Sequence, residues 1–302
     1  MKTFTVKVPA TTSNMGPGFD CIGMALSLYN ESEFAFAPEG LSITAEGFTN
    51  QAEDDPKNNM IYRAFAACCE RNSVKPPENM QIRCVNRIPM GSGLGSSSTA
   101  VLMGIFGANE WGGFRMSKDA LLELATELEG HPDNAAPAIF GGLTAAVKEE
   151  NQIIIRSYKT ANWNLAVVVP EFKLLTHEAR AALPKMVPLQ DAVYNIGHMM
   201  LVVDGLREGN EKLLRQGMKD KLHERYRMAL LPGSEKAVAA ALKAGAAASG
   251  LSGAGPGVIA YTMGISNGIL EAMTAVYESL PLPYNAFNLK ISQNGVIVEN
   301  GE

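Results

Sequence analysis

The 302-residue sequence contains no Gly-Lys dipeptide, no Cys-x-x-Cys pair and no run of basic residues. Its four cysteines stand at 21, 68, 69 and 84, and the adjacent pair is poorly placed to bridge. A chain of this length buries a core without staples, so reduced thiols and a cytoplasmic location are expected. The four histidines (131, 177, 198 and 223) form no His-Glu-x-x-His and have no cysteine at ligand spacing, which argues against a catalytic zinc site. The balance of 26 Lys+Arg against 31 Asp+Glu gives a formal net charge of −5, so no nucleic-acid partner is expected. Two stretches, 88–109 and 244–270, lack formal charge. Glycine, serine and proline break both, and such irregular backbone cannot satisfy its polar groups in lipid, so no membrane association is expected. The opening residues have no continuous apolar segment of the kind a secretory leader needs.

With 46% hydrophobic and 19% charged residues, the chain has an ordinary globular composition. At about 150 residues per domain, its length suggests two domains. Strand-like alternation occurs at Thr3–Val8, ended by Pro9, and at Met80–Ile88. Thr99–Glu110 is an apolar run of helical length. Ser117–Glu129 has a helical apolar stripe, with Ser117 as N-cap and Gly130 as terminator. Gly141-Gly142 introduces a strand at Leu143–Val147, and a polar patch at Lys148–Gln152 follows. Residues 1–155 and 156–302 are therefore the expected domains. In the second, Asn164–Val169 reads as a buried strand, and helical patterns occupy 176–183, 190–208, 211–219 and 234–246. Gly257–Met263 reads as a short buried strand, Leu270–Leu280 as a helix and Ala286–Val298 as strands. Strands and helices mix without strict alternation, which favours α+β over a doubly wound sheet.

The strongest local signal is Pro89-Met90-Gly91-Ser92-Gly93-Leu94-Gly95-Ser96-Ser97-Ser98-Thr99, between a strand and a helix. Its glycines permit positive φ, so successive N–H groups can converge on one anion. The helix start adds its dipole, and the serines add hydroxyls. Without Gly-Lys this is no Walker loop, and the glycine spacing fails the dinucleotide fingerprint. A flexible connector is the alternative. Two more glycine-rich turns, Asn14–Gly18 and Leu251–Gly257, suggest a shared cleft. The turn Glu129-Gly130-His131-Pro132-Asp133-Asn134 is dense in donors and acceptors. A carboxylate there suits Mg²⁺, which keeps phosphate and water among its ligands. A solvated helix end is the competing reading.

Together these residues resemble the GHMP small-molecule kinases. Pro89 to Ser97 fits the family pattern P-x-x-x-G-L-G-S-S. Glu129–Asn134, followed by Ala-Pro-Ala-Ile-Phe-Gly-Gly142, and Ser252-Gly-Ala-Gly-Pro256 fit two further motifs. The early segment Pro9–Asp20 is similar to the first motif of members acting on an amino-acid alcohol, and unlike that of galactokinases and mevalonate kinases. The resemblance covers residues 5–260 and implies a two-domain fold. The N-terminal domain would be like the second domain of ribosomal protein S5, with a left-handed crossover, and the C-terminal domain ferredoxin-like. Mg²⁺-ATP and a small alcohol would bind in the cleft, and a homodimer is implied.

The same resemblance implies residue roles. Pro89 to Ser98 would wrap the ATP phosphates. Ser97 or Ser96 would hold Mg²⁺ together with Glu129 or, second, Glu127. Asn14 and Asp20 would meet a substrate ammonium. Arg180 and Arg227 would meet its carboxylate, since two Arg forks suit a planar carboxylate, and Thr176 and Gly253 would also bind the substrate. The reacting hydroxyl would lie near Asn134, with His131 beside it. Where mevalonate kinase and galactokinase carry a proton-accepting Asp, this sequence has Asn134. An amide takes no proton at neutral pH, so transfer without a side-chain general base is expected, Asp133 being the competing base.

Overall fold

The computed structural model describes residues 3–36, 40–49, 55–150, 152–174 and 176–301. The first sheet is built around two long strands, β1 (Thr3–Ser13) and β2 (Ile22–Ala35), paired antiparallel. β3 (Leu41–Gly47) runs parallel to β4 (Met80–Asn86), which pairs with the far half of β2. β5 (Leu143–Lys148) pairs with the near end of β2 and forms a hairpin with β6 (Ile153–Tyr158). β11 (Ile297–Asn300) returns at the chain's end to the free edge of β1. The Glu149 N–H donates to the Gln152 carbonyl between β5 and β6, and the position between 155 and 156 falls inside β6.

Pro9 does not end the first strand. The β1–β2 register shifts between Pro9 and Thr11, and a bulge tolerates a residue without an N–H. β1 therefore continues through Thr11, Thr12 and Ser13, all buried. Helices α1 (Met60–Arg71), α2 (Ser96–Gly112), α3 (Lys118–Glu129) and α4 (Ala135–Phe140) cover one face of this sheet. α3 has the expected ends. Ser117 Oγ accepts the Ala120 N–H, and Gly130 closes the helix at φ 92°.

The second sheet has the order β10-β7-β9-β8, from β7 (Asn164–Pro170), β8 (Ala248–Leu251), β9 (Val258–Thr262) and β10 (Tyr284–Lys290). Between β7 and β8 lie α5 (Thr176–Ala181), α6 (Leu189–Glu208), α7 (Glu211–Gly217), α8 (Glu224–Met228) and α9 (Ser234–Lys243). α10 (Asn267–Glu278) joins β9 to β10. With α9 and α10 this is a β-α-β-β-α-β unit of ferredoxin-like type. After Asn164, β7 is apolar because it faces two cores. Leu165, Val167 and Val169 turn toward the first sheet's residues, and Ala166 and Val168 toward α9 and α10. The Ala-rich tract splits, its last residue opening β8 rather than prolonging the helix. Among the described residues no helix is long and apolar enough to cross a membrane.

Candidate functional site

Where the two sheets meet, a cavity of about 810 Å³ opens, and the three glycine-rich turns converge on it. Residues 91–95 link β4 to α2, with φ of 62° at Gly91, 76° at Gly93 and 70° at Gly95. Side chains are excluded at two of these positions. A Cβ on Gly93 would sit 2.1 Å from the Ser252 carbonyl oxygen, and one on Gly95 2.1 Å from Thr11 Oγ1. The late turn is thus packed directly on the central loop. Ser252 Oγ donates to the Gly93 carbonyl at 2.7 Å, and Gly257 N–H donates to the Ser92 carbonyl at 3.0 Å. Gly95 is the N-cap of α2 without any side-chain cap, so the first N–H groups of that helix face the cavity unsatisfied by a side chain.

Glu129, at the end of α3, accepts from Ser97 Oγ at 2.8 Å and from Ser98 Oγ. Burial raises its pKa, more than the two hydroxyl hydrogen bonds lower it. Glu127, the other candidate, is paired with exposed Arg71. Among the described residues no three His, Cys, Asp or Glu gather to hold a metal ion. One carboxylate beside two hydroxyls is nevertheless the sparse donor set that Mg²⁺ uses when phosphate and water complete its shell.

After Gly130 the chain turns, and His131, Asp133 and Asn134 all line the cavity. His131 Nδ1 lies 2.8 Å from Asp133 Oδ1. That hydrogen bond holds the imidazole pKa above its ordinary value. Burial alone would raise the Asp133 carboxyl, but the His131 hydrogen bond and charge outweigh it and leave the group below the usual range. Asn134 Oδ1 accepts from Thr11 Oγ1 at 2.8 Å, and its Nδ2 donates to Ser13 Oγ at 3.2 Å.

The cavity lining also carries charge of both signs. Asn14 Nδ2 donates to the Gly253 carbonyl at 2.8 Å, and its Oδ1 accepts the Asp20 N–H at 3.0 Å. Arg180 forms a two-pronged ion pair with Asp20. Arg227 is buried, with Nη1 3.3 Å from the Gly253 carbonyl and from His223 Nδ1. Its Nε, also buried, has no partner among the described residues. Thr176 opens α5, and its side chain lies outside the described residues.

Asn14, Asp20, Gly91 to Gly93, Gly95 to Ser98, Glu129, His131, Asn134, Arg180, Arg227 and Gly253 therefore line one space. Leu94 is buried in the core, and Pro89 precedes the loop. The sequence reading missed Thr11 and Ser13, hidden by the assumption that Pro9 ends a strand. It also missed Phe19, whose ring lies 5.6 Å from the Arg180 guanidinium and 5.1 Å from that of Arg227. His223, which joins Arg227 to the Gly16 carbonyl (2.8 Å), offered no motif.

Comparison with known proteins gives this geometry a family. A profile for the GHMP kinases N terminal domain matches residues 59–142, and one for the GHMP kinases C terminal matches 202–279. A homoserine kinase of a Synechococcus species is 40% identical over 301 residues, covering 97% of each chain. One from Crocosphaera subtropica is 41% identical over 303 residues, covering 99% of this chain and 98% of its own. The crystal structure of homoserine kinase from Cytophaga hutchinsonii superposes with a TM-score of 0.88 at 27% identity, covering 98% of this chain and 97% of its own. The chain belongs to the GHMP kinase family and, within it, to the homoserine kinases.

Proposed function

We infer that the chain transfers the γ-phosphoryl group of ATP to the side-chain hydroxyl of L-homoserine, giving O-phospho-L-homoserine and ADP, a step of threonine biosynthesis. One observation supports this reading above the rest: a single cavity is lined by the glycine-rich loop, by the Asp20–Arg180 pair with Arg227, and by Asn134.

The main chain of Gly91 to Ser98 and the start of α2 bind the ATP phosphates. Ser97 and Glu129 would hold Mg²⁺, with Ser98 orienting the carboxylate. When bound, the ion neutralises charge shared by the β- and γ-phosphates. At the substrate end, Asp20 and the free lone pair of Asn14 Oδ1 receive the ammonium group. Arg180 and Arg227 receive the carboxylate, beside the Gly253 backbone and Thr176. The substrate hydroxyl then lies at the Asn134 amide, with His131 beside it. Thr11 and Ser13 fix that amide, so the hydroxyl is oriented for in-line attack. No side chain needs to remove the proton. Asn134 cannot, and Asp133 is occupied by His131 and held in its weakly basic form. The proton passes to the transferred phosphoryl group as its bridging bond breaks.

The protein acts in the cytoplasm as a homodimer, and the face of α6 supports a second copy. Leu189, Val193, Ile196 and Met200 are each at least 60% exposed and recur at i, i+4, i+7 and i+11. Gly197 has open space above it, and Met186 extends the stripe. Antiparallel pairing about a twofold axis between Val193 and Ile196 sets Leu189 against Met200 of the partner subunit and keeps every charge off the seam.

An ADP-release assay against a panel of hydroxy amino acids tests the reaction. ADP release should depend on L-homoserine and be far slower with L-serine or L-threonine. Equal release without an amino acid, or a faster reaction with another alcohol, overturns the assignment.

A further inference from the structure

Asp20 and Arg180 belong to opposite ends of one ligand, yet here they are bound to each other. Arg180 Nη1 donates to Asp20 Oδ2 at 2.8 Å, and Nη2 donates to Oδ1 at 3.0 Å. Both side chains are partly exposed, 46% for Arg180 and 33% for Asp20, so a ligand entering the cavity can reach them. The geometry is the parallel fork that an arginine makes with any carboxylate, including a substrate's. Arg227 differs. It is buried, and among the described residues it makes no ion pair and its Nε donor is unmet.

We propose that the Asp20–Arg180 ion pair is a charge-matching gate, opened without loss only by a ligand carrying both an ammonium and a carboxylate group. The proposal rests on the substrate assignment above. A zwitterion exchanges one internal ion pair for two external ones, its ammonium on Asp20 and its carboxylate on Arg180. A hydroxy acid that takes Arg180 strands Asp20, and an amino alcohol that takes Asp20 strands Arg180. A charge left unpaired in a closing site costs more than an interaction never made. Selection against half-matched alcohols therefore comes from the protein's own broken pair, as well as from the hydrogen bonds that such a ligand fails to form.

A gate of this kind has a consequence that independent recognition of the two ends does not. Removing one partner should improve binding of the ligand that needs the other. Calorimetric titration of the full-length protein with L-homoserine, 4-hydroxybutyrate and 2-aminobutane-1,4-diol tests this. Asp20→Asn should weaken L-homoserine at least tenfold and tighten 4-hydroxybutyrate roughly threefold to tenfold, since Arg180 is released. Arg180→Gln should tighten the amino diol by a similar factor. A second measurement needs no variant. Ethylammonium chloride, compared with sodium chloride at equal ionic strength, should tighten 4-hydroxybutyrate binding to the unaltered protein, because linkage is reciprocal. If 4-hydroxybutyrate binds no better in either experiment while L-homoserine still binds the unaltered protein, the gate is wrong and the substrate assignment stands. If L-homoserine does not bind the unaltered protein, the assignment itself fails.

Discussion

Thr11 Oγ1 donates a 2.8 Å hydrogen bond to Asn134 Oδ1 across 123 residues of sequence, and so decides which way the Asn134 amide points. Thr11 is fully buried, and it also occupies the space that forbids a side chain at Gly95. Thr11→Val keeps the shape and removes the donor, leaving a carbonyl unpaired at a cost of about 1–3 kcal/mol. On the proposed role of the amide in orienting the substrate hydroxyl, kcat should fall roughly tenfold with little change in the KM for ATP. Thr11→Ser should recover most of the rate. Steady-state kinetics with each substrate varied in turn checks both, and an unchanged kcat in Thr11→Val would remove the orienting role.

A different outcome is expected at Asp133. A general base is worth about 10²–10⁴-fold in rate. Since Asp133 is engaged by His131, Asp133→Asn should cost less than that in kcat. The pair also has a pH signature. The lowered carboxyl contributes stability above its unfolded pKa and loses it as pH falls through the folded value. The raised imidazole contributes below its unfolded pKa and loses its share as pH rises through the folded value. The stability gap between the unaltered chain and Asp133→Asn should therefore be widest between about pH 4 and 6, at about 1–2 kcal/mol, and should narrow below pH 4 and above about pH 6.5. Urea unfolding from about pH 2.5 to 9 measures it.

The elements that could be read in advance were those whose signals are local. Ser117 and Gly130 mark the ends of α3 because capping is settled within a turn of the helix. The glycines at 91, 93 and 95 announce a loop with positive φ, and the Glu129–Asn134 turn announces polar chemistry. What stayed hidden depends on distant partners. Pro9 punctuates the sequence, but a bulge against Tyr29 and Ala25 carries the strand past it. Ser98 shows its role only when α3 ends beside α2, and the Asp20–Arg180 pair spans 160 residues. The return of β11 to β1 is equally non-local, since no signal in Ile297–Asn300 names its partner.

Gly93 tests how tightly the central and late loops are joined. Its φ of 76° and the 2.1 Å approach of a Cβ to the Ser252 carbonyl oppose any side chain, and that neighbour is backbone, which cannot rotate away. Gly93→Ala should destabilise the protein by roughly 1–3 kcal/mol and weaken ATP binding more than homoserine binding. Thermal unfolding with and without an ATP analogue separates the two effects. Loss of stability with full ATP affinity would detach this glycine from phosphate binding.

The α6 stripe makes a prediction about assembly. Ile196 is 69% exposed at the middle of the seam and would face Val193 of the partner subunit, so Ile196→Glu sets a charge against an apolar side chain on each side of the twofold axis. Light scattering after size-exclusion chromatography should show the unaltered chain as a dimer and the variant as a monomer with the same circular dichroism. A dimer that survives Ile196→Glu would place the interface elsewhere.

Glu224 should set the chain's stability toward alkaline pH. Its carboxylate is tucked under β8, where Oε1 accepts the Leu251 N–H at 2.9 Å and a Cβ on Gly250 would come within 2.4 Å. Burial pushes its pKa up to about 7 from 4.5, Asp220 adding to the rise while the Leu251 N–H and Arg227 oppose it. Below pH 4.5 the carboxyl is protonated whether the chain is folded or not, and it contributes no pH dependence. Between 4.5 and about 7 the folded state holds a proton that the unfolded state has released, so stability falls as pH rises. Above 7 the whole cost of the buried charge is present. Glu224→Gln keeps the acceptor for Leu251 and removes the charge. It should be more stable than the unaltered chain by roughly 2–3 kcal/mol at pH 8 and indistinguishable from it near pH 4. Urea titrations at the two pH values decide the matter, because a gap of equal size at both would mean that packing, and not ionisation, separates the proteins.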